Sequence, residues 1–298
     1  MRDEETEGTE GKAGRMLVLI TGAAGSIGRK VRRHLEAAGH YDLRLVDVEP
    51  RDDPAIAAVD LSQWDEGWAY RFQGVAAVVH LAADSRPWAS AKAVKRNNIE
   101  ATRNIFSASV RAGVKRVVFA SSTWTMAGYR FSKVKLTTDL PPRPTTPYGH
   151  SKLAGERMGQ SFSVSHGLSV ICLRIGSCQA SPGNLPGPHM GGRWVQEKWI
   201  SDRDLCHLIE RAILAERIGF AVVNAVSDNP GMRWDLEGAR RLLDYAPVDG
   251  HAAIVTPTTR LRDAVAFVRL LRRRGLAGVQ RRQGAAELAS EPRLPDGA

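Results

Sequence analysis

The sequence has few cysteines and no long apolar run. Its three cysteines, Cys172, Cys178 and Cys206, follow no metal-ligand spacing, and no stretch of about 18 apolar residues occurs. The first fifteen residues, MRDEETEGTEGKAGR, are acidic and lack the apolar core of a secretory signal. These absences predict a cytoplasmic protein with reduced thiols, without a metal centre and with no segment in the membrane.

Positive charge is in excess but unevenly spread. The net charge is +10, and much of the excess lies in residues 260–284, near the C-terminus. That distribution argues against a nucleic-acid partner, which the net charge alone would suggest. The segment predicts a basic amphipathic helix over 259–284, docked on the protein, with a phosphate or membrane contact as the alternative. Its apolar stripe would consist of Leu261, Ala264, Val265, Val268 and Leu271.

The middle of the chain alternates between apolar runs and segments with helical spacing. Strands, with helices between them, are expected at 16–22, 41–50, 57–63, 75–83, 114–122, 168–176 and 220–227. This alternation predicts the α/β class, with a Rossmann-type doubly wound parallel sheet. After Gly176 a Gly/Pro-rich loop and a few late elements follow. Because these elements are too few for a separate core, they predict a small C-terminal substrate lobe over the carboxyl ends of the strands.

The loop after the first strand reads TGAAGSIG, residues 21–28, with glycines spaced GxxGxxG. In such a loop the first glycine permits a tight turn, the second lets a pyrophosphate approach the backbone, and the third lets the helix pack against the strand. The following helix N-terminus supplies unpaired N–H groups for the phosphates. The loop therefore predicts a dinucleotide site formed by Gly22, Ala24, Gly25, Ser26, Ile27 and Gly28.

The residues after the next strands predict the rest of the cofactor site. Asp47 ends the second strand, nineteen residues after Gly28. A carboxylate there accepts hydrogen bonds from the ribose 2′-OH and repels a 2′-phosphate, which favours NAD over NADP. Nearby Arg44 and Arg51 keep NADP open as an alternative. Further cofactor contacts are expected, to the adenine and along the cofactor, from Asp60, Leu61, Leu81, Ala82 and Ala83.

A tyrosine and a lysine follow a proline-rich loop at a predicted helix start, in PYGHSK, residues 147–152. Tyr148 and Lys152 share a helix face at this spacing. An unperturbed tyrosine titrates near pH ~10, and a neighbouring ammonium favours its phenolate form. Such a tyrosine can take a proton from a sugar or alcohol hydroxyl while hydride leaves the same carbon. The pair therefore predicts oxidoreductase chemistry beside the dinucleotide site.

The order of these motifs resembles the extended short-chain dehydrogenase/reductases of the NAD-dependent epimerase/dehydratase type. The resemblance runs from Met16 to Pro247 and is carried by TGAAGSIG, HLAA, NNIEAT, FASS, YGHSK and LRIG. Within this superfamily, RIGSC and WISDRDLCHLIERA are most similar to the NAD-dependent uronate dehydrogenases. Those enzymes oxidise the anomeric carbon of glucuronate or galacturonate to a lactone. The resemblance implies NAD as the cofactor and a small-molecule carbohydrate as the substrate.

The resemblance also implies roles for single residues. Tyr148 would be the base, and Lys152 would lower its pKa and hold the nicotinamide ribose. Ser122 would bind the reacting oxygen beside Tyr148. Asn98 would support the active site and the cofactor, and Ile175 of LRIG would contact the cofactor.

The substrate residues match the uronate enzymes only in part. Ser85, Ser177 and Arg193 correspond to substrate contacts, and the Arg193 guanidinium suits a carboxylate. In the uronate enzymes the active serine is followed by an asparagine and a histidine that touch the sugar. Here Thr123 and Trp124 take those places, so the sugar pocket is expected to differ.

The chain is thus divided into a disordered leader (1–15), an NAD-binding domain (16–177), a substrate-binding lobe interleaved with the last strand (178–258), the basic helix and a disordered tail (285–298). The leading hypothesis is an NAD-dependent oxidoreductase acting on a uronate-like sugar acid or related carbohydrate, expected as a homo-oligomer. The alternative enzyme is a nucleotide-sugar epimerase or dehydratase that keeps NAD bound and returns the hydride. A dinucleotide-binding sensor or scaffold is the third hypothesis, which the Tyr–Lys–Ser set disfavours.

Overall fold

A computed structural model describes residues 14–180 and 183–268. Most of the predicted leader (1–13), the predicted tail and residues 269–284 of the predicted basic helix lie outside the described residues. The fold, the candidate site and the first part of the basic helix lie inside them.

The described residues form one sheet of parallel strands in the order β3-β2-β1-β4-β5-β6-β7. The predicted Rossmann-type sheet is confirmed. Its order reverses between β1 and β4, which creates a crevice at their carboxyl ends where such sheets bind ligands. The strands are β1 (Met16–Thr21), β2 (Tyr41–Asp47), β3 (Ile56–Ala58), β4 (Ala77–His80), β5 (Arg116–Ser122), β6 (Ser169–Ile175) and β7 (Phe220–Ala225).

Helices cover both faces of the sheet. The α-helices are α1 (Ser26–Ala38), α2 (Glu66–Ala69), α3 (Ala91–Val94), α4 (Ala101–Arg111), α5 (Pro147–His166), α6 (Arg193–Gln196), α7 (Asp202–Leu214) and α8 (Glu237–Leu243). Residues 257–268 are also helical. Shorter 3-10 turns cover Tyr70–Phe72, Thr123–Tyr129 and Pro188–Met190, and Lys95–Glu100 form a π-helix.

The sheet separates two apolar cores, because successive side chains of a strand point to opposite faces. Along β1, Val18 and Ile20 enter the core that contains α1 and α7, whereas Leu19 enters the core that contains α4. Helix α5 packs especially close to β5. A Cβ at Gly155 would lie 2.3 Å from the Phe119 ring. This close packing fixes the helix that carries the predicted Tyr–Lys pair.

The helical segment expected between β4 and β5 is interrupted. Its residues form α3, the π-helix Lys95–Glu100 and α4 in succession. Such π-helical turns are rare and are often found at functional sites. This one carries Asn98, whose buried side chain reaches toward the loop after β4.

The helix at 257–268 docks differently from the prediction. Its predicted apolar stripe is exposed at Leu261, Val265 and Val268, and the fifth position, 271, lies outside the described residues. Docking instead uses Asp263, which forms an ion pair with Arg130 at 3.1 Å and accepts the backbone N–H of Arg193 at 2.9 Å. The helix thus docks through this polar contact and through Phe267, whose ring centre lies 5.1 Å from that of Phe131, rather than through the predicted stripe.

Candidate active site

A cavity of about 970 Å³ opens at the carboxyl ends of the strands, and it gathers most of the residues predicted from the sequence. Its size suits a dinucleotide together with a small substrate. The predicted residues in its wall are Gly22, Gly25, Ser26, Ile27, Gly28, Asp47, Asp60, Leu61, Leu81, Ala82, Ala83, Ser85, Ser122, Trp124, Tyr148, Lys152, Ile175 and Ser177.

The glycine loop is built by close backbone contacts. Gly22 has φ 71°, a left-handed conformation that favours glycine, and a Cβ there would lie 2.8 Å from the Ala82 nitrogen. A Cβ at Gly28 would lie 2.2 Å from the Gly22 oxygen. The first and third glycines therefore do what the motif predicts: one makes the turn and the other lets α1 approach β1.

The start of α1 fits a phosphate group. Gly25 is the N-cap residue and provides no side-chain hydrogen bond to the first turn. The Ser26 hydroxyl is buried and has no hydrogen-bond partner among the described residues. A buried polar atom without a partner is costly, and the unpaired N–H groups of a helix N-terminus attract anions. The pyrophosphate of NAD would accept hydrogen bonds from the Ser26 hydroxyl and from these N–H groups.

Asp47 is oriented by the backbone. Its Oδ2 accepts the N–H of Ala24 at 2.9 Å, and its Oδ1 accepts the N–H of Glu49 at 3.2 Å. Ala24 is not part of the cavity wall, but it positions this carboxylate. Each carboxylate oxygen has a further lone pair, so Asp47 can also accept bonds from ribose hydroxyls.

Asp60 lies in the same wall but is already engaged. Ser62 donates two hydrogen bonds to its carboxylate, and Arg96 forms an ion pair with it at 2.5 Å. The Ser62 hydroxyl and then Arg96 hold the pKa of Asp60 below its usual value. Asp60 is therefore ionised and fixed beside the predicted adenine position.

The predicted catalytic residues lie together at the other end of the cavity. Helix α5 begins at Pro147, with Thr146 as N-cap, and places Tyr148 and Lys152 on its buried face. The Tyr148 side chain lies close to Ser122 at the end of β5, and the Ser122 hydroxyl favours the phenolate form of Tyr148. The Lys152 ammonium lies 5.7 Å from the centre of the Tyr148 ring and 5.1 Å from that of Phe119. This is an arrangement for moving a proton at Tyr148.

The pKa of Tyr148 corrects one expectation. Burial raises it to about 12, while the Ser122 hydroxyl opposes the increase and the Asp84 charge adds to it. Burial also lowers the pKa of Lys152 to about 8. Lys152 alone therefore does not bring the pKa of Tyr148 below its ordinary value, contrary to the prediction. The oxidised nicotinamide ring is a cation, so a bound cofactor would itself favour the phenolate.

Asn98 lies just outside the cavity wall. Its side chain accepts the N–H of Asp84 at 2.8 Å and donates to the Asp84 carbonyl at 3.1 Å. It also donates to the Ser151 hydroxyl at 3.0 Å, between Tyr148 and Lys152 in the chain. Asn98 therefore joins the loop of Ser85 to the catalytic helix, although it does not itself line the cavity.

Two predicted substrate residues are not in the wall. Thr123 is fully buried, and its hydroxyl donates to the Ile175 carbonyl at 3.2 Å. The Arg193 side chain is 57% exposed and donates to the Gly231 carbonyl at 3.1 Å. The structure therefore does not bring the Arg193 guanidinium to the cavity, and its contact with a carboxylate stays a prediction.

Four charged residues of the wall were missed from the sequence: Glu49, Asp84, Arg96 and Lys198. Asp84 directly follows the strand expected at 75–83, so its place near the carboxyl edge of the sheet was a signal. It pairs with the exposed Arg86 at 2.6 Å. Lys198 is buried in the wall between Trp124 and Trp194. It lies in a loop outside any motif, and no spacing marks it. The described residues contain no cluster of potential metal ligands and no helix suited to span a membrane.

Comparison with known proteins places this geometry in context. Residues 18–195 match the model of a family described as the NAD dependent epimerase/dehydratase family. The NAD-dependent glucose-6-phosphate dehydrogenase of Haloferax volcanii is 36% identical over 79% of this chain and 94% of its own. The uronate dehydrogenase of Pseudomonas syringae is 35% identical over 78% of this chain and 82% of its own.

A solved structure agrees with these relatives. A mutant uronate dehydrogenase from Agrobacterium tumefaciens, complexed with NAD, is 30% identical with a TM-score of 0.68. The match covers 79% of this chain and 86% of that one. The cofactor end of the cavity and the predicted NAD are therefore supported by residue geometry and by relatives alike.

Proposed function

Because this chain belongs to the NAD-dependent epimerase/dehydratase family, we propose that it is an NAD-dependent dehydrogenase that oxidises the anomeric carbon of a sugar to a lactone. The family resemblance, the enzyme assignment and the NAD cofactor predicted from the sequence are confirmed. The sugar and the carbon that is oxidised are the proposal.

One observation carries the proposal: Tyr148 and Ser122 lie together at one end of a cavity whose opposite end suits a dinucleotide. A proton acceptor and a hydride acceptor would then lie on either side of one substrate carbon. Bound NAD supplies the hydride acceptor. The chain supplies the base, the group that binds the reacting oxygen and the orientation of both.

The proposed reaction balances with these residues. The hydroxyl proton on C1 passes to the Tyr148 phenolate, and Ser122 donates a hydrogen bond to the same oxygen. A bound NAD would accept the hydrogen of C1 with its two bonding electrons, and the C1–O bond would become the lactone carbonyl. Lys152 keeps a positive charge near Tyr148 and stabilises the phenolate.

The test is NADH formation from NAD with a panel of glucuronate, galacturonate, glucose 6-phosphate, arabinose, glucose and UDP-glucose. We expect one NADH for each sugar oxidised, and loss of that signal in Tyr148→Phe. Conversion of UDP-glucose to its epimer without NADH would establish the alternative chemistry of the family. Absence of both reactions with every sugar would overturn the proposal. A homo-oligomer and a cytoplasmic location stay predictions.

A further inference from the structure

Lys198 is held at the sugar end of the cavity by the backbone around it. Its carbonyl accepts the N–H of Ser177 at 2.7 Å, just after β6. A Cβ at Gly176 would lie 1.9 Å from the same carbonyl oxygen, so only glycine lets this segment approach the strand end. The position of Lys198 is therefore fixed relative to β6 and the residues that follow it.

The Lys198 ammonium has polar and aromatic neighbours but no carboxylate. It donates to the Thr123 hydroxyl at 3.1 Å and lies 5.3 Å from the Trp124 ring centre and 5.7 Å from that of Trp194. No ion pair to Lys198 forms among residues 14–180 and 183–268. The nearby Glu197 carboxylate is instead bound by Arg233.

The burial of Lys198 is unfavourable in free energy if this residue has only a structural role. Lys198 is 4% exposed, and an unpaired buried cation is unfavourable. Burial lowers its pKa to about 7, and the charge of Arg130 adds to that effect. The Thr123 hydroxyl already donates its proton to Ile175, so its placement does not depend on an ammonium group. A cation retained here is explained if an anion binds beside it.

The lysine is also close to the reacting groups. Thr123, its hydrogen-bond partner, directly follows Ser122, which lies close to Tyr148 in the cavity wall. Lys198, Trp124, Ser177 and Ser122 all line the cavity. Asp84, a carboxylate near this end, is paired with Arg86 rather than with Lys198.

We propose that the Lys198 ammonium binds an anionic substituent of the sugar, a carboxylate or a phosphate, and so selects charged over neutral sugars. The proposal rests on the proposed function for the identity of the sugar end. It gives Lys198 the role that the sequence assigned to Arg193, whose guanidinium is bonded to Gly231 outside the cavity wall.

Calorimetric titration of the NADH-loaded protein separates binding from turnover. Glucuronate, glucose 6-phosphate and glucose are titrated into the parent and into Lys198→Met, Arg193→Met and Lys135→Met. Lys135 is an exposed lysine paired with Asp235, so its variant controls for loss of one positive charge. NADH affinity serves as the measure of an intact cofactor site.

We expect the parent to bind at least one anionic sugar more tightly than glucose. Lys198→Met should weaken that anion roughly tenfold to a hundredfold, the usual size for a hydrogen bond to a charged group. Glucose and NADH should stay within about threefold, and Lys135→Met should behave as the parent. The anionic sugar that loses more affinity in Lys198→Met, either glucuronate or glucose 6-phosphate, shows whether Lys198 binds a carboxylate or a phosphate.

The assignment is overturned if the parent shows no preference for either anion, if the preference survives in Lys198→Met, or if Arg193→Met removes it instead. Equal weakening of anionic and neutral sugars would mean a packing role and would also overturn it. If the expected preference appears but NAD is never reduced, the proposed function fails while the role of Lys198 stands.

Discussion

The two ends of the cavity recognise their ligands by different means. The cofactor end uses backbone groups: the turn at Gly22, the close approach at Gly28 and the N-terminus of α1, with Asp47 held by the N–H of Ala24. The sugar end uses buried side chains, two of which are lysines with pKa values lowered by burial. Backbone recognition is fixed by the fold, whereas side-chain recognition can change with single substitutions.

The largest expected effect is at the sugar end. Tyr148→Phe removes the proton acceptor but keeps the ring, so kcat should fall at least ~100-fold, the usual size for a lost general base. NAD affinity should change little, because the cofactor end does not depend on the hydroxyl. Steady-state kinetics and NAD titration measure the two separately. Activity within a few-fold of the parent would show that Tyr148 is not the base.

At the cofactor end, Gly28→Ala should act through the backbone. Its Cβ would meet the Gly22 oxygen at 2.2 Å, so α1 must move, and overpacking of this kind costs about 1–3 kcal/mol. We expect a lower melting temperature and weaker NAD binding. Gly238→Ala is the matched control, since its Cβ meets nothing closer than Thr138 Oγ1 at 3.9 Å. Unchanged NAD affinity in Gly28→Ala would contradict the account of the glycine loop.

Asp47→Ala tests the one side chain on which cofactor choice depends. The parent should bind NAD at least about tenfold better than NADP, a difference of about 1.4 kcal/mol. Asp47→Ala should bring the affinities for NAD and NADP closer together. It should do so chiefly by weakening NAD binding, because the ribose hydroxyls lose a hydrogen-bond acceptor. Competitive titration of both cofactors measures the ratio. Equal affinities of the parent protein for NAD and NADP would show that Asp47 does not determine the choice of cofactor.

The smallest expected effect is a pH dependence confined to the sugar end. Lys198 is charged below its pKa of about 7, so binding of an anionic sugar should weaken as the pH rises through that value, by about fivefold from pH 7 to pH 8. Arg130 lowers this pKa, Glu197 raises it, and Arg233 pairs with Glu197. Glucose should show no such trend. The ratio of KM values for the anion and for glucose removes effects common to both substrates.

The same contrast explains what could be predicted from the sequence. The sheet, the glycine loop and Asp47 follow from local patterns, because backbone sites depend on glycine spacing and strand ends. Tyr148, Ser122 and Lys152 were found because the motifs keep their order along the chain. Lys198 was missed because it lies in an irregular segment and reaches the cavity only through tertiary contacts with Gly176 and Ser177.

Arg193 shows the opposite case, a predicted substrate residue that the structure does not bring to the cavity. Its position in a loop near the strand ends suggested a carboxylate contact, yet its side chain lies outside the cavity wall and is bonded to Gly231. The direction of a loop side chain depends on neighbours that no spacing rule describes. The pKa of Tyr148 was misjudged for a related reason: a Tyr–Lys spacing predicts proximity but not the burial that raises the pKa.

The most direct test of the central claim follows the hydrogen itself. The parent is mixed with NAD and with whichever of glucuronate and glucose 6-phosphate gives NADH, carrying deuterium at C1, and both products are analysed by mass spectrometry. The account predicts one deuterium in NADH and a lactone without it, with neither product formed by Tyr148→Phe. Deuterium retained in a sugar whose configuration has changed, or NADH without the label, would contradict oxidation at C1.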